Sequence, residues 1–246
     1  MFRIENANIF LLGRYVTYYA VTPIWAAIVI TAVNCLVAKR KKLDTSFVFR
    51  LSAVVFSAAA LGQLYFHALP TVFLPFLYLM STLGVTIVFW VAGKFFKQGE
   101  LEMLGLGICS VSLFSAFSKL GCFLTGCCYG KPYEGPLRVV YGRNTENPFP
   151  ETGRFPIQLV MVLLFLGLSV VAYGIFIKHR SYQLQFALLF SNWFLYYIGT
   201  CLYDQSANQM IIAGFNFALP LAGIAFCGMA VSWGFYFKKS LKKGEM

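Results

Sequence analysis

The chain has 246 residues, of which 59% are hydrophobic and 12% are charged, and its formal net charge is +11 at pH 7. Soluble domains carry about 25% charged residues, so this composition excludes a soluble globular enzyme and indicates a protein that is solvated mainly by lipid. The basic charge does not indicate a nucleic-acid partner, because the Lys and Arg residues cluster at the ends of hydrophobic runs, as membrane anchors do.

The segment before the first hydrophobic run lacks the features of a cleaved signal peptide. It has no basic n-region followed by a short apolar core and a small-x-small cleavage site. We therefore expect it to be retained, as an amphipathic lead-in to the first membrane span.

Hydrophobic runs fill the rest of the chain and leave no room for a second folded domain, so residues 1–246 are predicted to form a single transmembrane domain. A span needs about 20 apolar residues, and it must be a helix because lipid offers no partner to an unpaired backbone amide. The expected spans are roughly 18–38, 46–66, 71–93, 103–124, 157–177, 183–203 and 212–237. The predicted fold is an all-α, polytopic integral membrane protein with about seven transmembrane helices.

Clusters of Lys and Arg follow the odd-numbered spans. They are Lys39 to Lys42 after the first span, Lys94 and Lys97 after the third, Lys178 and Arg180 after the fifth, and Lys238 to Lys243 after the seventh. Loops rich in Lys and Arg stay in the cytoplasm, so the N-terminus is expected outside and the C-terminus inside.

The long connection at 125–155 faces outward in this topology. It contains most of the turn-forming residues of the chain, among them Gly130, Pro132, Gly142 and Pro148. Loops of this length are usually functional or disordered. Because this one also carries apolar residues, we expect it to be a folded extracytoplasmic cap.

Lys119, near the outer end of the fourth span, is the first candidate site residue. An ionisable side chain in a spanning helix is costly and often functional, although a lysine at this depth can also extend to the outer headgroups. Ser115 and Cys122 lie on the same helix face as Lys119, and a small polar face around one cation can receive a phosphate.

The sixth span carries a second candidate face. Its polar residues recur at every fourth position and are Asn192, Tyr196, Thr200 and Asp204. We expect them to form one wall of a cavity, with hydrogen bonding inside the bundle as the alternative. Asp204 would act there as a general base or as the counter-ion of Lys119. Gln63, near the outer end of the second span, would line the same cavity or bond within the bundle.

The segment 121–130 reads G-C-F-L-T-G-C-C-Y-G and is unusually rich in Gly and Cys. The glycines predict tight turns and close backbone approach. The C-x4-C-C spacing is not a standard zinc pattern and no His lies near it, so neither a metal nor an organic cofactor is expected. A disulfide involving Cys127 or Cys128 is permitted by the outward topology and stays open.

Two motifs resemble those of the prolipoprotein diacylglyceryl transferase family. Residues 119–132, K-L-G-C-F-L-T-G-C-C-Y-G-K-P, are similar to R-I-G-C-F-x-x-G-C-C-Y-G-[KR]-P, and residues 153–159, G-R-F-P-I-Q-L, resemble H-P-[ST]-Q-L-Y-E. The resemblance implies transfer of a diacylglyceryl group from phosphatidylglycerol to the cysteine thiol of a lipoprotein precursor. It places the chain in the bacterial cytoplasmic membrane, with the reaction at its outer face.

This resemblance also implies roles for the candidate residues. Lys119 stands in the place of the signature arginine and would bind the phosphate, and Lys131 or Arg143 would supply a second cation. Gly126 and Gly130 would bring backbone amides near the leaving group. The other expected contacts to headgroup or loop are Tyr129, Arg154, Gln158 and either Tyr18 or Tyr19.

Departures from the family pattern leave a second function open. Met80 occupies the presumed position of a family histidine and Thr200 that of an arginine, while Lys119 lacks the bidentate fork of arginine. The first hypothesis is therefore a transferase with phospholipid and lipoprotein precursor as partners. The alternative is a non-catalytic homologue that binds lipid or a partner protein. Transport is less favoured, because no span has a Gly/Pro-broken centre with paired charges.

Overall fold

Seven long helices, joined by short strands and loops, account for most of the chain. The structure is a computed structural model that describes residues 1–11, 14–66, 74–178, 181–204, 211–212 and 215–243. Within these residues the helices are α1 (Tyr18–Lys41), α2 (Thr45–Phe66), α3 (Leu74–Phe95), α4 (Glu100–Thr125), α5 (Ile157–Lys178), α6 (Tyr182–Thr200) and α7 (Ala218–Lys243).

Six of these helices, all except α6, are long and apolar enough to cross a membrane. The protein is therefore a multi-pass helical membrane protein, as the sequence predicted. We attribute the exception of α6 to Gln183, Gln185 and Asn192, which lower its mean hydropathy. The count of seven crossings and the sidedness of the two termini stay predictions.

Helix α4 lies at the centre of the bundle. Its spanning window is 78% buried, whereas the windows of the other five candidate spans are between 17% and 39% buried. Helices α1, α3 and α5 pack against α4. Gly121 permits the close approach of α1, because a Cβ atom at this position would collide with Thr22 Oγ1. This central position places the side chains of α4 inside the protein.

The basic ends of α1, α3 and α5 lie on one face of the bundle. Lys41, in the last turn of α1, has its Nζ atom 4.9 Å from the ring centroid of Phe176, near the end of α5. The Asp44 amide donates to Gln98 Oε1 at 3.4 Å, so the loop after α1 meets the loop after α3. The structure thus groups three of the four basic clusters on which the predicted orientation rests, those after α1, α3 and α5.

A three-stranded sheet organises the connection between α4 and α5. Strands β4 (Val139–Asn144) and β5 (Gly153–Arg154) pair antiparallel, and β1 (Phe2–Asn6) pairs with β4 in parallel. We call this sheet together with residues 126–156 the cap. It lies between the end of α4 and the start of α5, in the segment where the sequence predicted a cap at 125–155, and the role and outward orientation of that cap stay predictions.

Two further pairs of strands occupy positions where the sequence predicted none. Strand β2 (Asn8–Leu11) pairs with β3 (Arg14–Thr17) in the predicted amphipathic lead-in, and β6 (Ile211–Ile212) pairs with β7 (Phe215–Asn216). The seventh helix consequently begins at Ala218 rather than near 212. A short apolar run does not by itself distinguish a strand from a helix, so the all-α prediction holds for the bundle and missed these small sheets.

A buried polar cluster, the Asn34 cluster, ties four helices together. Asn34 Nδ2 donates to Ser52 Oγ at 3.1 Å and to Ser110 Oγ at 2.9 Å. Tyr173 Oη donates to Asn34 Oδ1 at 2.8 Å. Because polar groups in an apolar interior need partners, this cluster fixes the register of α1, α2, α4 and α5.

Candidate active site

Lys119 lies on the penultimate turn of α4 and points into the protein. It is 5% exposed, and its ammonium donates a hydrogen bond of 2.7 Å to Tyr203 Oη. Its Nζ atom also lies 4.6 Å from the ring centroid of Tyr196, within cation–π range. The alternative in which Lys119 extends to the headgroups is therefore wrong, because aromatic side chains enclose its charge.

A cavity of about 520 Å³ opens in front of Lys119, between α2, α3 and α4. One end is polar and is formed by Lys119, Cys122, Cys128 and Tyr196. The rest is mostly apolar, and Val54, which is 68% exposed, belongs both to the lining and to the outer surface of the bundle. The cavity thus joins a buried cation to a surface that faces lipid.

Tyr78 of α3 shapes the polar end of this cavity. Its ring stacks on Tyr196 with centroids 3.5 Å apart, and its hydroxyl is 3.0 Å from Ser115 Oγ and donates to Asn192 Oδ1. Asn192 Nδ2 in turn donates to Ser112 Oγ at 2.9 Å. These contacts hold α3, α4 and α6 together behind the cavity wall.

The predicted polar face of α6 is divided between two roles. Tyr196 lines the cavity, whereas Asn192 and Thr200 are each 1% exposed and bond inside the bundle. Thr200 Oγ1 donates to the Tyr197 carbonyl at 2.8 Å. Asn192 therefore fits the alternative of hydrogen bonding between helices, whereas Thr200 bonds within its own helix. The predicted continuous cavity wall is wrong.

A left-handed turn ends α4 and brings three thiols together. Gly126 has φ +84°, and its N–H donates to the Cys122 carbonyl at 3.0 Å. Cys128 has φ 52°, in a region that side-chain-bearing residues rarely occupy. The sulfur atoms of Cys122, Cys127 and Cys128 all lie within 4.8 Å of one another. No disulfide joins these three cysteines, which we call the cysteine triad.

Gln158 of α5 holds this turn from the opposite side. Its Nε2 donates to the Cys127 carbonyl at 2.8 Å and to Tyr141 Oη at 3.3 Å. Burial raises the pKa of the Tyr141 phenol above its ordinary value, so the hydroxyl stays protonated and donates to the Phe123 carbonyl. Gln158 thereby positions the turn. Of the two contacts predicted for Gln158, to a headgroup or to a loop, the structure shows the one to a loop.

Asp204 pairs with Arg154 rather than with Lys119. Arg154 Nη1 lies 2.9 Å from Asp204 Oδ2, and the guanidinium lies against the rings of Tyr129 and Phe149, at 4.9 and 4.7 Å from their centroids. Strand β5 brings Arg154 to this place through its pairing with β4. Of the two roles that the sequence left open for Asp204, that of counter-ion to Lys119 is therefore wrong, and that of general base stays a prediction.

The cap is closed against the end of α6 by backbone contacts. Gly130 pairs with Tyr203, and the Asp204 amide donates to the Tyr129 carbonyl at 3.0 Å. A Cβ atom at Gly130 would collide with the Phe155 carbonyl oxygen. This contact positions Tyr203, so the hydroxyl that binds Lys119 depends on the cap.

A family model described as prolipoprotein diacylglyceryl transferase matches residues 8–203 of the chain. It is the family that the motifs at 119–132 and 153–159 resemble. The chain belongs to this family. A phosphatidylglycerol–prolipoprotein diacylglyceryl transferase of Clostridium tetani (strain Massachusetts / E88) is 49% identical over 49 residues. That similarity covers 20% of this chain and 18% of the length of the relative.

In this member of the prolipoprotein diacylglyceryl transferase family, the remaining candidate residues do not all lie at the cavity. Lys131 and Arg143 are exposed on the cap, and Lys119 is the only Lys or Arg among the described residues that line the cavity. Tyr19 contributes to the lining. The side chain of Gln63 lies outside the described residues.

The presumed family histidine position does not face the cavity in this family member. Met80 is 56% exposed, whereas its neighbours Ser81 and Thr82 belong to the lining. The sequence reasoning also missed Tyr78 and Tyr203, which supply hydroxyl groups to the polar end. Their signal was weak, because a tyrosine in an apolar run is most often a packing residue whose hydroxyl finds some partner.

Proposed function

We propose that the protein is a diacylglyceryl transferase of the bacterial cytoplasmic membrane. It moves a diacylglyceryl group from an anionic phospholipid of the phosphatidylglycerol type to the cysteine thiol of a lipoprotein precursor. The observation that carries this proposal is the buried ammonium of Lys119 at the polar end of a cavity whose apolar part reaches the lipid-facing surface. A phospholipid has the same division between an anionic head and an apolar body.

The charge of Lys119 is suited to a phosphate. The ammonium has three donors, of which one binds Tyr203, and the remaining donors are available for phosphate oxygens in the adjacent cavity. In an enclosed site of low dielectric constant, such an interaction is stronger than it would be in water. The cation would stabilise the negative charge that develops as the phosphate leaves.

The transfer step is a substitution at a glyceryl carbon. The acceptor sulfur forms a bond to the glyceryl carbon that carries the phosphate, and the bond between that carbon and the phosphate oxygen breaks. Glycerol phosphate leaves with the electron pair of the broken bond, and the thiol loses its proton. The products are a thioether-linked lipid and glycerol phosphate.

Reconstitution tests this proposal directly. Purified protein in vesicles of phosphatidylglycerol, supplied with a cysteine-bearing lipoprotein signal peptide, is expected to form lipidated peptide and one equivalent of glycerol phosphate. Vesicles of phosphatidylcholine are the matched lipid control, since their headgroup carries no net charge. Lys178→Ala is the matched lysine control, because Lys178 is exposed at the far end of α5. Absence of both products with folded protein and every anionic phospholipid tried would contradict the proposal.

A non-catalytic homologue that binds lipid is the second candidate, and one observation favours it. Asp204, the candidate general base, is engaged by Arg154, and Lys119 is the single described cation of the cavity lining. Under this alternative, phosphatidylglycerol binds in a Lys119-dependent manner but no glycerol phosphate is released. Measuring lipid binding and product release on the same samples separates the two functions.

A further inference from the structure

The cysteine triad is placed at the cavity in a way that the phosphate-binding role of Lys119 does not explain. We infer that Cys122, Cys127 and Cys128 bind a zinc ion whose open fourth position faces the Lys119 cavity and takes the acceptor thiol. This inference deepens the proposed function and rests on it, because the acceptor is the thiol of that transfer reaction.

The spacing of the sulfur atoms suits a single ion. Zinc binds thiolate sulfur at about 2.3 Å, so two thiolates of a tetrahedral site lie roughly 3.8 Å apart. The three sulfur atoms already lie within 4.8 Å of one another. Small side-chain rotations therefore close the triad around an ion, without movement of the backbone.

The backbone that carries the triad is held in place from several sides. Gly126 and Cys128 both have positive φ angles, which turn the chain back towards Cys122. Gln158 Nε2 binds the Cys127 carbonyl at 2.8 Å, and Thr125 Oγ1 donates to Cys127 Sγ at 3.5 Å. Hydrogen bonds that orient ligands and act on their sulfur atoms are the usual support of a metal site.

The local charges balance when the ion is zinc. Three thiolates carry three negative charges, and a divalent ion offsets two of them. The ammonium of Lys119, which lines the same cavity as Cys122 and Cys128, offsets the third before substrate binds. Soft thiolate ligands select zinc and copper(I) over the hard cations magnesium and calcium. A buried set of three thiolates and one ammonium therefore fits a divalent, thiophilic ion.

The open position of the ion faces the reacting groups. Cys122 and Cys128 belong to the lining of the cavity that contains Lys119. Zinc sites with three protein ligands keep the fourth position for water or substrate, and a thiol that coordinates zinc is deprotonated. The acceptor thiol would thus lose its proton to solvent as it binds, and would react as a thiolate.

This arrangement removes the need for Asp204 as a base. The zinc-bound sulfur donates its electron pair to the glyceryl carbon, the carbon–oxygen bond breaks, and glycerol phosphate leaves next to Lys119. The thioether product is neutral and a weaker ligand than a thiolate, so it leaves the ion. Asp204 can then remain paired with Arg154 throughout the reaction.

Metal content and cobalt spectroscopy test the site without any activity measurement. Full-length protein, purified under reducing conditions and exposed to Zn²⁺ alone, is expected to hold one zinc per chain. Replacement by Co²⁺ is expected to give an intense thiolate-to-cobalt charge-transfer band. Cys122→Ser, Cys127→Ser and Cys128→Ser should each lose most of the zinc and of this band. Cys227→Ser is the matched control, since Cys227 is exposed on α7 and should change neither.

The outcomes separate this inference from the proposed function. Zinc bound by the triad, without product release, would leave the site standing and overturn the transferase. Full transfer by zinc-free protein would overturn the site and leave the transferase standing. If the serine variants fail to fold, the zinc content and cobalt band of the unmutated protein decide alone. Wild-type protein without zinc, or with a disulfide inside the triad after purification under reducing conditions, overturns the inference.

Discussion

Two buried polar regions of the bundle differ in how completely their hydrogen bonds are satisfied. In the Asn34 cluster, both amide hydrogens of Asn34 are donated, and its carbonyl oxygen accepts from Tyr173. In the Lys119 region, the ammonium makes one hydrogen bond to the described residues and otherwise faces aromatic rings and a cavity. Full satisfaction is typical of a structural role, whereas an incompletely bonded charge beside a cavity is typical of a binding site.

Breaking the ion pair between Arg154 and Asp204 is expected to have the largest effect on the stability of the site. Arg154→Met should lower the free energy of unfolding by about 3 to 5 kcal/mol, because it leaves a carboxylate without its buried partner. Thermal unfolding in detergent and proteolysis of the cap measure this effect. Arg143→Met is the control, since Arg143 is exposed. The double variant Arg154→Met/Asp204→Asn should recover most of the loss, and no recovery would contradict the pairing argument.

Removing the charge of Lys119 should separate activity from stability. Lys119→Met keeps the length of the side chain and should reduce product release by about 10² to 10³, the range seen when one electrostatic stabiliser of a transition state is removed. The unfolding temperature should stay equal or rise, because a buried charge is costly. Glycerol phosphate release and thermal unfolding of the same preparation measure both effects. If Lys119→Met lowered the stability of the protein but left its specific activity unchanged, the Lys119 region would have a structural role and our assignment of it as a binding site would be wrong.

A substitution in the Asn34 cluster should lower stability and leave activity unchanged, the opposite of the effect expected for Lys119→Met. Asn34→Leu removes a donor and an acceptor, so that Ser52 loses the hydrogen bond that it accepts and Tyr173 loses the acceptor of its hydroxyl. We expect a loss of about 1 to 3 kcal/mol in stability and unchanged turnover per folded molecule. Denaturant unfolding followed by an activity assay on the folded fraction checks this. A fall in turnover without a fall in stability would show that the cluster contributes to function.

The smallest expected effect concerns the hydroxyl that binds Lys119. Tyr203→Phe keeps the aromatic ring near the ammonium and removes one hydrogen bond, at a cost of about 1 kcal/mol, or about fivefold in KM for the lipid. The value of kcat should change less, because Lys119 itself remains. Steady-state kinetics with phosphatidylglycerol vesicles give both constants. Tyr133→Phe, at a half-buried position of the cap, controls for the loss of a hydroxyl.

Hydropathy predicted the bundle well because each span is an extended apolar run. The predicted fourth and fifth spans, 103–124 and 157–177, nearly coincide with α4 (Glu100–Thr125) and α5 (Ile157–Lys178). The cap sheet could not be predicted in this way, because β1 finds its partner β4 only after four helices have intervened. Short strands carry little local signal, and their pairing is a property of the whole fold.

The candidate site likewise contains residues that could be identified from the sequence and contacts that depend on the whole fold. Lys119 could be identified because an ionisable residue in a spanning helix stands out in any sequence. The partner of Asp204 could not, because Arg154 reaches it through the pairing of β4 and β5. The cysteine triad was also missed, since its assembly depends on the left-handed conformation of Gly126 and Cys128 rather than on the C-x4-C-C spacing.

The parallel pairing of β1 with β4 has a consequence for how the protein is made. During synthesis the strand at Phe2–Asn6 is translated first, but Val139–Asn144 follows only after α4. The sheet therefore completes late, once the ribosome has delivered more than half of the polypeptide. Until that moment the turn at Gly126 lacks Tyr141, against which it packs, and Tyr203, which follows β4 in the chain, has not yet been made. A nascent chain stalled before β4 would therefore be inserted in the bilayer without the hydroxyl that binds Lys119.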